Sequence, residues 1–412
     1  MNGKSIKIRM LEKILGFISK SILWRYNPYV IGITGSVGKT TTKDVIVHIL
    51  KKHKQIYYTK KNYNNEIGVP LTILGVNKDI KSIFSIFYIF GVWITKMIYC
   101  KYPEIVVVEM GVDRPGDMDY LTSIVPLDIS VLTAISFAHS EFFSSIDEIT
   151  REKQKIVTNM KKGGIAIINY DDKNVVSVLN KVDTAITFGK SDGADFVATD
   201  IETCFYSCHD RGLSFKLNYK NKIIPVRLKN VIAEHFIYSV LAGIAVAEHL
   251  KLNIVEVMND VYDFQTSPGR MQFFEGIKGS KIIDDTYNAS PKSMSAAIDV
   301  LNNIEGSRKI AILGDMKELG DISQREHQKI ARQLQEIKID EVFLVGEEMK
   351  YAVTILKKSN ISVSHFDESV NVCDKIRDVI KSEDTILIKG SRGIHMENVV
   401  KELILNKSEN VL

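Results

Sequence analysis

Lys39 stands in a stretch with the residue types and order of a phosphate-binding loop, Gly32-Ile33-Thr34-Gly35-Ser36-Val37-Gly38-Lys39-Thr40-Thr41-Thr42. Gly35 and Gly38 let the backbone turn its N–H groups towards an anion, with Ser36 between them, and a following helix adds the partial positive charge of its N-terminus. Lys39 is spaced to reach β- and γ-phosphates, and the Thr40 hydroxyl, followed by Thr41, to hold Mg²⁺. The order is T-G-S-x-G-K-T-T rather than G-x-x-x-x-G-K-[ST], because Ile33 stands where the first glycine would fall. A glycine loop of this kind can be a mere strand-to-helix turn; Lys and Thr directly after Gly38 favour a nucleotide.

Two further groups would serve the same chemistry. Glu104 to Gly111 reads as an apolar strand that ends in a carboxylate, so Glu109 would sit at the carboxyl edge of a parallel sheet beside the loop, where an acid serves the nucleotide's metal. The next strand, Asp128 to Ala134, leads to Ser136-Phe137-Ala138-His139-Ser140-Glu141 and would deliver His139 to the same edge, as a metal or phosphate contact or an ordinary loop residue. Lys153, on a charged helix with Arg151 and Lys155, reads on composition as part of a solvated face.

The elements that must position these residues alternate strand and helix. Tyr29 to Ile31 is a buried strand, Thr41 to Leu50 a helix, Gln55 to Tyr58 a second strand and Gly163 to Asn169 another. Ala194 to Leu228 changes to short alternating runs broken by turn sequences at 209–212 and 219–222, an antiparallel flap appended to the parallel sheet. Helices follow from Ile232 to Leu250 and on to about Tyr262, and Ser267-Pro268-Gly269-Arg270 reads as a hinge. Beyond it come strands at Lys281, Lys309, Glu341, Ser362 and Thr385 with helices between. The expected fold is therefore α/β: a phosphate-loop domain with a parallel sheet and small antiparallel flap over 26–267, then a doubly wound, Rossmann-like domain over 268–412 that closes over the nucleotide.

Lys plus Arg number 54 against 50 Asp plus Glu, a net charge of +4 that is too balanced for a nucleic-acid protein. The four cysteines are scattered and no signal peptide is evident, which places the chain in a reducing cytoplasm. Residues 1–25 hold a basic amphipathic helix, read first as packing on the next domain and alternatively as lying on a membrane surface. The apolar stretch 82–99 is short for a membrane span and reads as buried or interfacial.

The motifs together resemble the Mur ligases, the ATP-dependent amide-forming enzymes of peptidoglycan synthesis, and within them the branch that adds D-alanyl-D-alanine. The resemblance rests on the Thr34–Thr41 loop, Asn64-Asn65-x-Ile67-Gly68-Val69-Pro70, Glu109-Met110-Gly111, Ala138-His139-x-Glu141, the helix of Lys153, Pro268-Gly269-Arg270-Met271, Asp284-Asp285-Thr286-Tyr287-Asn288-Ala289, Leu313-Gly314-Asp315 and Lys389-Gly390-Ser391-Arg392. It implies that ATP phosphorylates an acceptor carboxylate and an amine displaces the acyl phosphate. It implies two Mg²⁺ ions, one on Thr40 and Glu109 and one on His139, with Lys153 carbamylated and so turned into a metal-binding anion. Arg270 would meet phosphate, Asp285 the ribose, and His235 and Tyr287 the nucleotide. Asn64, Asn65, Asn288, Lys389, Ser391 and Arg392 would hold a cell-wall peptide precursor.

Two departures from the family pattern stand out. His235-Phe236-Ile237-Tyr238-Ser239 replaces the usual His-Asn-x-x-Asn, which would leave adenine to stack on Phe236 or Tyr238. The loop also begins near residue 34, leaving no room ahead of it for the family's uridylate-binding domain, so a partner supplying that function or a peripheral contact with the inner face of the membrane becomes an expectation. The same chemistry on a lipid-linked or non-uridylated acceptor, and a non-catalytic nucleotide-binding scaffold, stand as the alternative readings.

Overall fold

The computed structural model describes residues 6–60, 63–77, 83–99, 101–136, 142–204, 211–304 and 308–405. His139 and Glu141 lie outside the described residues, as do Cys100, Cys208 and the turn expected at His209-Asp210.

The first half is one nine-stranded sheet built from β1 (Tyr29–Thr34), β2 (Ile56–Tyr58), β3 (Ile105–Glu109), β4 (Ile129–Leu132), β5 (Ile165–Asn169), β6 (Ala185–Gly189), β7 (Phe196–Cys204), β8 (Gly212–Tyr219) and β9 (Lys222–Lys229), in the order β2-β3-β1-β4-β5-β6-β7-β8-β9. Pairing is parallel from β2 to β7 and antiparallel from β7 to β9. The antiparallel flap thus continues the parallel sheet through β6, whose Phe188 and Gly189 pair with Phe196 and Val197. Strand β3, Ile-Val-Val-Val-Glu, is buried at every position, because helices cover both faces of a parallel sheet. Alternate residues divide between the two layers: Ile31, Ile33 and Val107 pack under the helices Lys39–Leu50 and Phe236–His249, while Val30, Val106 and Val108 face the opposite layer.

That opposite layer includes the N-terminal helix, Ile6–Tyr26, which buries Leu15, Ile18, Ile22 and Leu23. It packs on the helices Gly68–Leu74, Ile83–Tyr99 and Asp117–Ile124, as its amphipathic pattern leads one to expect. The helix Ile83–Tyr99 has 17 residues, about 25 Å of rise and short of a hydrocarbon core of about 30 Å. Among the described residues no helix is long and apolar enough to cross a membrane.

The second half is a six-stranded sheet of β10 (Gln272–Glu275), β11 (Lys281–Asp285), β12 (Lys309–Gly314), β13 (Glu341–Val345), β14 (Ser362–Phe366) and β15 (Thr385–Lys389), ordered β10-β11-β15-β12-β13-β14. All pairs are parallel except β10 with β11, so an antiparallel edge strand that the sequence pattern does not announce joins the doubly wound core. Ile283, Ala311, Leu344 and Leu387 face one helical layer and Ile282, Ile312, Phe343 and Ile388 the other. The helix Pro291–Asn303 starts on proline behind a Ser290–Ser293 capping box. Between the halves, Ser267 to Arg270 forms a turn closed by Arg270 N–H on the Ser267 carbonyl at 3.1 Å, with Gly269 at φ 68°. Ser267 Oγ donates to Asp44 Oδ2 at 2.5 Å, tying this turn to the helix that follows the glycine loop.

Candidate nucleotide and metal site

Strand β1 ends on the glycine loop, and the loop is held by the end of β4. Ser36 N–H donates to the Ala134 carbonyl at 2.6 Å and Thr133 Oγ1 donates to the Val37 carbonyl at 2.7 Å. Gly35 lies against the Thr133 hydroxyl, where an added Cβ would come within 2.0 Å of Oγ1, so no side chain fits. Gly38, at φ 86°, starts the helix Lys39–Leu50 with no side-chain cap, which leaves the helix N–H groups open for an anion. Lys39 folds back over the loop, donating to the Gly35 carbonyl at 2.8 Å and the Ser36 carbonyl at 3.3 Å. The side chain is half-buried, and desolvation of the ammonium lowers its pKa, with Glu109 opposing and Arg270 reinforcing the shift.

Thr40 and Glu109 meet as expected. The Thr40 hydroxyl donates to Glu109 Oε1 at 3.2 Å, and Asn64 Nδ2 donates to the same oxygen at 3.0 Å. Glu109 is buried, and its Oε2 has no hydrogen-bond partner among the described residues. A buried anionic oxygen left open beside a threonine hydroxyl and a phosphate loop fits a hard divalent cation with oxygen ligands. Lys153 is buried on the helix Ile146–Thr158 rather than on a solvated face. Burial, then the positive charge of Lys39, pushes its pKa down to about 7 against the opposing pull of Asp113 and Glu152.

Beyond the loop a cavity of about 470 Å³ opens between the two halves. Gly38 and Thr41 form its phosphate end, Asn169, Asp171, Phe236 and Tyr238 one wall, and Arg270, Asp285, Lys292 and Lys389 the wall from the second half. Arg270 lies 4.0 Å from the Tyr287 ring centroid and its buried Nε has no hydrogen-bond partner among the described residues. His235 stacks on Phe236 and is exposed to the cavity, and desolvation by the cavity walls lowers its pKa, Asp285 opposing and Lys389, Arg270 and Lys190 reinforcing the shift. Phe236 is buried, whereas Tyr238 is half-buried and donates to Asp171 Oδ2 at 3.0 Å, so of the two rings Tyr238 offers the more open face. Asp171, which no motif in the sequence marks out, also accepts from the N–H groups of Lys190 and Ser191 at 2.7 and 3.1 Å.

The residues expected on the peptide divide. Lys389 is buried and donates to Asp285 Oδ2 at 2.5 Å and the Asn288 carbonyl at 2.9 Å, so these two expected ligands of different molecules are each other's partners. Their pairing follows from sheet register, since Asp285 on β11 stands opposite Lys389 on β15. Ser391 is buried too, donating to the Ala289 carbonyl at 3.3 Å and accepting from Lys317 N–H at 2.8 Å. Arg392 and Asn288 are exposed. Asn65 Oδ1 accepts from the N–H groups of Ile67 and Gly68 at 3.2 and 2.9 Å, capping the helix Gly68–Leu74, while Asn64 turns to Glu109.

A phosphate loop with a carboxylate and hydroxyl at its foot, facing a second α/β unit across a cavity, defines a two-part nucleotide-dependent enzyme. The sequence matches the Mur ligase middle domain over residues 33–247 and the Mur ligase glutamate ligase domain over 269–392, and the chain belongs to the Mur ligase family. A UDP-N-acetylmuramoyl-tripeptide–D-alanyl-D-alanine ligase of Buchnera aphidicola is 31% identical over 397 residues, 95% of this chain and 78% of that protein. The ligase of the same name from Bacillus subtilis is 29% identical over 94% of this chain and 78% of its own length. Among solved structures, MurF from Acinetobacter baumannii superposes with a TM-score of 0.80 at 27% identity, covering 95% of this chain and 80% of that one. The MurF ligase of Thermotoga maritima in complex with ADP gives 0.79 at 27% identity over 95% and 83%.

Proposed function

We propose that this chain is an ATP-dependent ligase of cell-wall precursor synthesis that works in the cytoplasm and joins D-alanyl-D-alanine to a muramoyl-peptide. The observation that carries the reading is the Glu109 Oε2, without a partner among the described residues, beside the Thr40 hydroxyl, at the foot of a loop whose lysine already points along its own carbonyls. Thr40 and Glu109 would hold Mg²⁺, with Asn64 fixing the carboxylate, and the ion would supply charge neutralisation across the transferred phosphoryl group. Lys39 and the open N–H groups of its helix balance the same charge, and Arg270 approaches it from the second half. An acceptor carboxylate oxygen attacks the γ-phosphorus, and the bond to the bridging oxygen breaks to release ADP. The incoming amine then attacks the acyl carbon; the C–O bond breaks, inorganic phosphate leaves with the electron pair, and the amine loses a proton. Lys153, with its pKa near 7, is an amine neutral enough to add CO₂ as the carbamate, which would give the site a second anion. Closure of the second half about the Ser267–Arg270 turn would exclude water from the acyl phosphate.

The test is to supply ATP, Mg²⁺, UDP-N-acetylmuramoyl-tripeptide and D-alanyl-D-alanine and to follow ADP release and the amide product by mass. One amide formed per ADP, with release dependent on both substrates, is the expected result. ADP release that ignores both, or no turnover with either, would overturn the assignment.

A further inference from the structure

The N-terminal helix Ile6–Tyr26 and the helix Ile83–Tyr99 share a face that the ligase chemistry does not use. They pack side by side: Trp93 Nε1 donates to Ser21 Oγ at 2.8 Å, and the Phe17 and Trp93 ring centroids are 6.1 Å apart, edge to face. The inward side of the first helix is spent on the core. Its outward side repeats every seven residues, with large apolar side chains at Met10, Phe17 and Trp24 and lysines at Lys13 and Lys20 between them, all exposed. A seven-residue spacing is close to two helical turns, so these residues form one stripe in which apolar and cationic groups alternate. Phe17 is 64% and Trp24 85% exposed, which no requirement of the fold explains. The neighbouring helix adds Phe87 at 69%, Tyr99 at 84%, and Ile94 and Ile98, with Lys96, its one charged residue, turned inwards to the Tyr57 hydroxyl at 2.9 Å.

We propose that this two-helix face is a docking surface for an anionic phospholipid bilayer, on which the enzyme lies without crossing it. Several features favour lipid over other occupants. Exposed aromatic side chains that alternate with lysines along the helix match the headgroup boundary, where rings and lysine stems enter the apolar layer and ammonium groups stay with phosphates. Met10, Phe17 and Trp24 are spread over about 21 Å of helix, which suits a flat surface better than a pocket-seeking anchor. In a twofold dimer through the same stripe, Lys13, Lys20 and Arg25 would face their own copies, and like charges would oppose the contact. The helix Ile83–Tyr99 is too short to span, in keeping with a helix that lies in the interface. The inference is independent of which acceptor the ligase uses.

The experiment is co-sedimentation of the full chain with vesicles of phosphatidylcholine alone and with about one-third phosphatidylglycerol, at low and high salt. In parallel, Trp24 emission is read in a Trp93→Phe background, since Trp24 and Trp93 are the two tryptophans. Binding to the anionic vesicles that high salt reverses, with a blue shift of Trp24, is expected. Each lysine near such a surface is worth about fivefold in affinity, so Lys13→Glu with Lys20→Glu should weaken binding by roughly 25-fold or more while ATP turnover persists. Phe17→Ser with Trp24→Ser, both solvent-facing and tolerable to the fold, should abolish it. No sedimentation with either vesicle, or binding that ignores charge and salt, would overturn the proposal. So would a dimer in solution that the serine variant disperses, since the face would then belong to a second copy.

Discussion

The chemistry assigned to Lys153 gives a prediction with a magnitude. An ordinary lysine, at pKa 10.5, is neutral to less than about 0.1% at pH 7.4, whereas one pushed down to about 7 is neutral to roughly 70%, on the order of a thousandfold more free amine. The difference corresponds to about 5 kcal/mol held against the buried ammonium, burial contributing most and Lys39 next. Only the neutral amine adds CO₂, and the product exchanges a cation beside the phosphate loop for an anion. In ¹³C-bicarbonate the protein should show a carbamate resonance that is absent from Lys153→Ala, that grows as pH rises through about 7, and that disappears on acidification. Lys153→Ala should lose at least about a hundredfold in ATP turnover, and acetate or propionate should restore part of it by placing a carboxylate in the vacated space. Near-normal turnover of the alanine variant, or a carbamate signal indifferent to the substitution, would refute the reasoning.

Lys39→Ala should remain folded, because among the described residues the ammonium bonds to its own loop alone, yet lose several hundredfold or more in ATP turnover; a folded variant with most of its activity would remove the phosphate-loop assignment. Asp284 is fully buried on β11, with Oδ2 unpartnered among the described residues, and burial raises its pKa to about 6. Because the folded value is raised, its stabilising protonation is complete below about 3.8 and lost as pH rises through 6, a swing of about 3 kcal/mol; Asp284→Asn should flatten denaturant midpoints across that window, and an unchanged pH profile would refute this. Lys389→Met should cost about 3 kcal/mol by leaving Asp285 buried without its cation, and adding Asp285→Asn should recover part of the loss in a double-mutant cycle; additive effects would mean the pair is not coupled. Because Phe236 and Ser239 supply no amide at the positions where the family has one, the preference for ATP over GTP in kcat/KM should stay below about a thousandfold, and a higher ratio would point to another group on that wall reading the base.

The strand, glycine loop and helix around Lys39, the meeting of Thr40 with Glu109, and the five parallel strands of the second sheet could all be read from the sequence, whereas its antiparallel edge strand could not. Each is local: a fixed turn geometry, an apolar run between polar breaks, or a strand end whose edge follows from parallel pairing. The amphipathic pattern of residues 1–25 was legible in the same way, as a periodicity. What tertiary structure alone decided depends on which strands become neighbours. Asp285 and Lys389 stand 104 residues apart and pair because β15 is inserted between β11 and β12, so a lysine that motif order assigns to the peptide becomes a buried counter-ion. Asn65 and Ser391 are taken up by a helix cap and a loop brace, since backbone N–H groups and carbonyls that folding leaves nearby claim short polar side chains first. Lys153 reads as solvated in a charged helix, and only the packing of that helix against the sheet buries it and lowers its pKa. The outward stripe of Met10, Phe17 and Trp24 is a tertiary result too, because the helix has two apolar sides in sequence and the core could cover just one of them.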